Sequence, residues 1–171
     1  MRLAFSLEPS WPPGAWLARG SDGGTVVRVQ HGKSVAVHGD WFGELVWDGD
    51  YDNAGFDQTD LVYGTGGKLD GACLRFVPSS MTTDRLVHSQ SAGLWTVSNS
   101  LPCLIAATGT TIDPLHGGYR SFFASVTNGL DAYARRIPTT DTPVHLTYVD
   151  HVCVDSGRVA VTPTRRGRRD R

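Results

Sequence analysis

The feature that most limits what this chain can become is the length of its apolar runs. Leu3–Ser6, Thr25–Gln30, Ser34–His38, Glu44–Trp47, Ala72–Val77, Arg85–His88 and Leu94–Ser98 are each four to six residues long, apolar or alternating. Between them stand turn signals: Ser21-Asp-Gly-Gly24, His31-Gly-Lys33, Trp47-Asp-Gly-Asp50 and Tyr63-Gly-Thr-Gly-Gly67. Runs this short cannot complete three helical turns, but they match strands whose side chains alternate between two faces. Twenty glycines and nine prolines supply the many turns that such a chain needs.

After residue 100 the period changes. Ser100 is placed to cap a helix over Leu101–Thr108, with Pro102 in its first turn and Gly109 at its end. Asp113-Pro114 opens a second helical pattern through Tyr119, Phe122, Phe123, Val126, Leu130 and Tyr133. Gly117, Gly118 and Gly129 weaken it and Pro138 ends it. The segment from Thr142 to Val149, the turn Asp155-Ser-Gly-Arg158 and the run Val159–Thr162 then read as a closing hairpin. Seven to nine strands with two late helices give an α+β layered fold.

A chain of 171 residues and 18.5 kDa is one domain with room for a two-layer core. Charged residues are 19% and hydrophobic ones 40%, which excludes a disordered acidic chain, a coiled coil and a globally basic nucleic-acid binder. Charge is unevenly placed. Residues 165–171 hold five Arg and one Asp, so residues 1–164 carry 11 basic against 16 acidic side chains, a net −5. The expected organisation is a single domain over 1–164 with a solvated basic tail over 165–171, and no nucleic-acid partner. No run approaches a membrane span, and Glu8, Pro12 and Pro13 spoil the N-terminus as a secretory signal. Cys73, Cys103 and Cys153, widely spaced in apolar surroundings, read as reduced packed thiols of a cytoplasmic protein.

Single motifs carry little chemistry. Gly64-Thr-Gly-Gly-Lys-Leu-Asp-Gly71 follows an apolar run as an anion-cradling loop would. The strand-like Ala72–Val77 after it supplies no helix dipole, so a flexible turn is the first reading and an anion site the second. His31-Gly-Lys-Ser34 ends like a phosphate loop, but Val27 stands where that motif needs glycine; a hairpin turn fits better. His38 with Asp40, or His151 with Cys153, offers at most two ligands on one face, too few for a metal. No nucleophile elbow or cysteine-protease signature is present. Five tryptophans, at 11, 16, 41, 47 and 95, serve a core or line a groove.

Several segments in order say more. Gly39-Asp-Trp-Phe-Gly-Glu-Leu-Val-Trp47, then Thr59-Asp60, the run Cys73–Val77, and Gly93–Ala107 resemble the N-terminal class II glutamine amidotransferase domain of asparagine-synthetase-like proteins. Phe42-Gly-Glu-Leu45 is similar to that family's NGEI motif and Asp57-Gln-Thr-Asp60 lies where its SDTE would. Ser98–Ala107 resembles its strand-to-helix step, and Ala132–Thr139 the segment before its closing strands. The resemblance implies an Ntn-hydrolase-like layered sandwich and a pocket, vestigial or remodelled, at Trp41, Phe42, Gly43, Glu44, Thr59 and Asp60.

The departures from the family decide the expected activity. Its glutaminase uses a cysteine directly after the initiator Met, both as nucleophile and, through its α-amine, as base; position 2 here is Arg. An arginine cannot attack an amide carbon. The motif's oxyanion-holding Asn is replaced by Phe42, and losing one such donor alone costs about two to three orders of magnitude in turnover. The synthetase half is absent from these 171 residues. The expectation is therefore a glutaminase-inactive scaffold or interaction subunit, without catalytic residues, metal or cofactor. It would serve an ATP-pyrophosphatase-type, amide-forming partner, with Phe42, Trp41 or Trp47 plugging the old pocket; self-association is a further expectation. The alternative is a small enzyme or ligand-binding protein using His38, Asp40, Glu44 and Asp60 as polar groups of a remodelled pocket.

Overall fold

Alternation along the first strands already separates two faces. In β1 (Arg2–Leu7), Leu3 is buried and Phe5 packs beside it, while Arg2, Ala4 and Ser6 point the other way. In β2 (Trp16–Ser21) both faces are buried near the start, Trp16 and Ala18 on one side and Leu17 on the other. The computed structural model describes residues 1–164; the basic tail lies outside them. The described residues form thirteen strands, with 43% of them in strands and 13% in helices, an α+β protein.

The remaining strands are β3 (Val26–His31), β4 (Ala36–Val37), β5 (Trp41–Trp47), β6 (Val62–Asp70), β7 (Cys73–Val77), β8 (Leu86–Ser91), β9 (Leu94–Ser98), β10 (Arg136–Ile137), β11 (Val144–Thr147), β12 (His151–Asp155) and β13 (Arg158–Thr162). They form a seven-stranded sheet in the order β1-β3-β2-β9-β8-β11-β10 and a six-stranded sheet in the order β13-β12-β7-β6-β5-β4. Among the described residues only β1 and β3 pair in parallel. The sheets face each other across one core built from Trp16, Val27, Val29, Phe42, Leu74, Phe76, Trp95, Val97, Val152 and Val154. Aromatic rings knit that core: Trp16 stacks on Phe76 at 5.7 Å and meets Phe42 edge-on at 5.1 Å.

Helices α1 (Leu101–Thr108) and α2 (Tyr119–Ala124) cover part of the outer face of the seven-stranded sheet. There Leu104 and Phe122 pack with Leu17, Val87, Ile137, Val144 and Leu146. Helix α1 is capped as its sequence predicts: Ser100 accepts from the Cys103 amide, and Gly109 closes it at φ 71°. Its layer order is therefore helices, sheet, sheet. On the outer face of the six-stranded sheet a loop carrying a 3₁₀ turn, Gly55–Asp57, seals a third cluster of Trp41, Ala54, Phe56, Val62 and Val77. Asp57 pins that loop, with Lys68 Nζ at 3.5 Å and the Arg75 guanidinium at 3.2 Å of its carboxylate.

The strand Trp16–Ser21, not among the runs read from the sequence, shows no clear alternation because Trp16, Leu17 and Ala18 are buried on both faces, whereas Arg19 and Ser21 are exposed. Four expectations change. The glycine-rich segment read as a flexible turn, or as an anion loop, belongs through Asp70 to the nine-residue strand β6, which pairs with β5 over residues 62–68; Gly71 alone turns, at φ +60°. Its glycines are set by crowding: at Gly64, φ +90°, a Cβ would run into the Glu44 carbonyl, and at Gly67 it would come within 2.8 Å of the Phe42 ring. The second helical pattern shrinks to six residues plus a 3₁₀ turn at Ser125–Asn128. Finally, the closing hairpin is β12–β13, whereas β11 joins the other sheet; Ser34–His38 contributes only the two-residue β4.

Candidate functional site

Glu44 lies on the strand face that carries Phe42 into the core, two residues closer to the end of the sandwich. There β5, β6, the start of β2 and the end of β9 converge, and the backbone directions leave polar groups to satisfy one another. Trp16 Nε1 donates to Thr65 Oγ1 at 2.9 Å, and Thr65 Oγ1 donates to Glu44 Oε1 at 3.0 Å. Asn99 Nδ2 reaches the same oxygen at 3.4 Å and the Gly14 carbonyl at 3.0 Å, while its Oδ1 accepts from the Trp16 amide at 2.9 Å. Ser98 Oγ donates to the Trp16 carbonyl at 2.6 Å and accepts from the Ser100 amide, tying the network to the N-terminus of α1.

Burial pushes the Glu44 carboxyl above the usual carboxylate range, and the nearby Asp84 charge adds to this. The bonds from Thr65 and Asn99 oppose it. With Thr83, Asp84, Arg85, Thr65 and Asn99, Glu44 lines a cleft of about 190 Å³. Arg85, the cleft's cation, also lies over the Phe123 ring at 5.3 Å. A carboxyl whose titration burial moves upward, lining a cleft with an amide, a hydroxyl and a guanidinium, is equipped to hold a small polar group and to exchange a proton with it. The volume is below the 300–1,000 Å³ typical of ligand pockets, so only a small group fits.

The six site residues read from the sequence do not converge. Phe42 is fully buried between the sheets, whereas Trp41, its strand neighbour, faces outward into the loop-covered cluster, stacked on His38 at 4.0 Å. Gly43 is buried against Gly66 in the β5–β6 pairing. Thr59 and Asp60 precede β6 near the Trp47–Val62 pair, three register steps or about 10 Å beyond the Glu44–Thr65 pair. Of the six, only Glu44 lines the cleft. His38 and Asp40 are exposed beyond β4. Thr65, Asn99 and Arg85 were not legible as site residues. Asn99, between a strand and its helix cap, carried the one local hint, since such junctions often direct a polar side chain inward.

A second polar pair lies on the inner face of the seven-stranded sheet. His88 and His145 are register partners with rings stacked at 5.3 Å. Burial, helped by the neighbouring His145, lowers His88 to about 4, and its Nε2 is buried without a hydrogen bond among the described residues. No group of three or more His, Cys, Asp or Glu among the described residues is arranged to hold a metal ion. No described helix is long and apolar enough to cross a membrane. No protein-family model, curated protein or solved structure matches the chain.

Proposed function

We propose that this chain is a glutaminase-inactive, amidotransferase-like domain, a scaffold or interaction subunit for an ATP-dependent amide-forming partner, on an Ntn-hydrolase-like layered sandwich. The observation that carries the reading is the position of Phe42. Where the family resemblance calls for an oxyanion-holding Asn, this ring fills the space between the sheets, edge-on to Phe5, Trp16 and Phe76. Arg2, where the nucleophilic cysteine would stand, is exposed on the outer face of the seven-stranded sheet. Phe42 supplies no oxyanion donor, and Arg2 supplies neither nucleophile nor base. The inactive part of the reading is tested by incubating the protein with glutamine and following ammonia release and binding heat. The expected result is neither; ammonia release above that of a heat-denatured sample contradicts it.

The Glu44 cleft favours one second reading, a remodelled small-molecule site in which Glu44 exchanges a proton with a bound polar group. Glu44→Gln removes the titrating group and keeps the bond from Asn99. Loss of any turnover detected for the wild-type protein, with the fold intact, supports that reading. An unchanged rate removes it.

A further inference from the structure

We infer that the outer face of the seven-stranded sheet binds a phosphate-bearing small molecule of nucleotide size. The helices cover only part of this face. Beside the C-terminal end of α1 the sheet floors an open groove of about 960 Å³, five times the Glu44 cleft and within the range of ligand pockets. Its floor is made by outward residues of β1, β3, β2, β9 and β8. Strand register sets Ala4, Arg28, Arg19, Thr96 and Ser89 in one row across it, with Arg2 two residues along β1 from that row and on the same face.

Three arginines therefore share one concave surface. Arg2, Arg19 and Arg28 are all exposed, and none forms an ion pair among the described residues. No acidic residue lines the groove. Asp22, in the turn between β2 and β3, lies against Gly157. This collection stands out because residues 1–164 carry an excess of acid, 16 acidic against 11 basic side chains. Arg19 and Arg28 are direct cross-strand partners, an arrangement that like charge destabilises. Edge protection does not account for them, since β2 and β3 are both interior strands with a neighbour on each side. An anion between the two guanidiniums removes the repulsion and gains charge-assisted hydrogen bonds.

The geometry narrows the ligand. Strand spacing of about 4.8 Å and two-residue steps of about 6.6 Å spread the three guanidinium stems over a patch wider than one carboxylate, suited to two or three linked phosphates. Toward α1 the groove changes character. Ser89, Thr96 and Thr108 carry hydroxyls there; those of Ser89 and Thr108 already donate to the Pro143 and Leu104 carbonyls, which leaves their oxygens to accept, and the helix end presents carbonyls with partial negative charge. That end suits the hydroxyl donors of a sugar and repels phosphate, so the ligand lies with phosphates over the arginines and its hydroxylated body toward the helix. The overall acidity of the domain disfavours a long polyanion, whose further phosphates would leave the basic patch.

The test is a titration of the isotope-labelled full chain by two-dimensional NMR, with ATP and inorganic pyrophosphate as probes and adenosine and a single-stranded oligonucleotide as controls. The expected result is saturable shifts confined to β1, β2, β3 and β9 with ATP and pyrophosphate, and none with adenosine. Arg19→Gln/Arg28→Gln should weaken ATP binding by at least about 30-fold, because each lost charge-assisted bond is worth more than tenfold when unscreened. Arg28→Gln also relieves the opposed charges and should hold or raise Tm by about 1–3 °C, which separates lost binding from lost folding. If the double variant does not fold, Arg28→Lys keeps the charge but not the fork, and should bind several-fold more weakly. No shift at millimolar probe, shifts scattered over the chain, or unchanged affinity in the variants overturns the inference. So does an oligonucleotide that binds these strands more tightly than ATP, which would make the groove a nucleic-acid surface. None of these outcomes touches the amidotransferase-like reading, which rests on the Phe42 ring between the sheets and on the lack of a nucleophile at position 2, not on what the Arg2 guanidinium binds.

Discussion

Acidification gives the sharpest test of how the inner faces are packed, because His88 is buried with its Nε2 unpartnered and its ring stacked on His145. In the folded chain burial lowers it to about 4, while in the unfolded chain it titrates near 6.5. Between those values the unfolded state binds the extra proton, so stability falls as pH falls through the window from 6.5 to 4. At pH 7.5 both states are neutral and His88 contributes no pH dependence. At pH 5 the difference amounts to about 2 kcal/mol, and at pH 4 to about 3 kcal/mol. For a domain of this size, 2 kcal/mol corresponds to about 4–8 °C in Tm. His145, also lowered by burial, acts in the same direction. The assay is urea unfolding followed by tryptophan emission at pH 7.5 and pH 5, for the wild-type protein and His88→Leu, which removes both the titration and the unpartnered nitrogen. The variant should match or exceed wild-type stability at pH 7.5 and lose about 2 kcal/mol less on moving to pH 5. Parallel losses in the two proteins would refute the reasoning.

Asp57→Ala should strip Lys68 and Arg75 of their shared anion and free the loop that seals the Trp41 cluster. Because both cations keep some solvent contact, a cost of about 2–3 kcal/mol by urea unfolding is expected, below the full penalty for a buried pair; a change under about 0.5 kcal/mol would contradict the pinning role. Phe42→Ala should open a cavity between the sheets and cost about 3–5 kcal/mol, again by urea unfolding. A cost near 1 kcal/mol or less would mean that the ring does not fill that space. The Cys73 thiol, pushed up to about 11 by burial with Cys153 beside it, should alkylate about a hundredfold more slowly at pH 8 in the folded than in the unfolded chain. Site-resolved mass spectrometry after timed iodoacetamide treatment reads this directly, and equal rates would refute it.

The strand-dense character, the capped helix α1 and most of the alternating strands could be read from the chain because each rests on a local pattern. Leu3 and Phe5, or Trp95 and Val97, declare a face by period two alone. What escaped were elements set by tertiary crowding. Strand β6 looks like a turn because its glycines answer to Phe42 and to the Glu44 backbone, partners some twenty residues away. Strand β2 hides because its first three residues are buried on both faces and blur the alternation. The site was partly legible: Glu44 stood out through the FGEL motif, but Thr65 and Asn99 reach it only through sheet pairing and the strand-to-helix junction. The basic groove was invisible for the same reason, since Arg2, Arg19 and Arg28 become neighbours only when β3 pairs with both β1 and β2.

The central claim, an inactive amidotransferase-like domain serving an ATP-dependent partner, meets its most direct test in affinity capture of the tagged chain from its native host. Mass spectrometry would score what co-purifies in stoichiometric amounts. The account predicts a one-to-one partner carrying an ATP-pyrophosphatase loop, whose amide-forming activity falls when this chain is withheld. Recovery of the chain alone, or only with copies of itself, would contradict it.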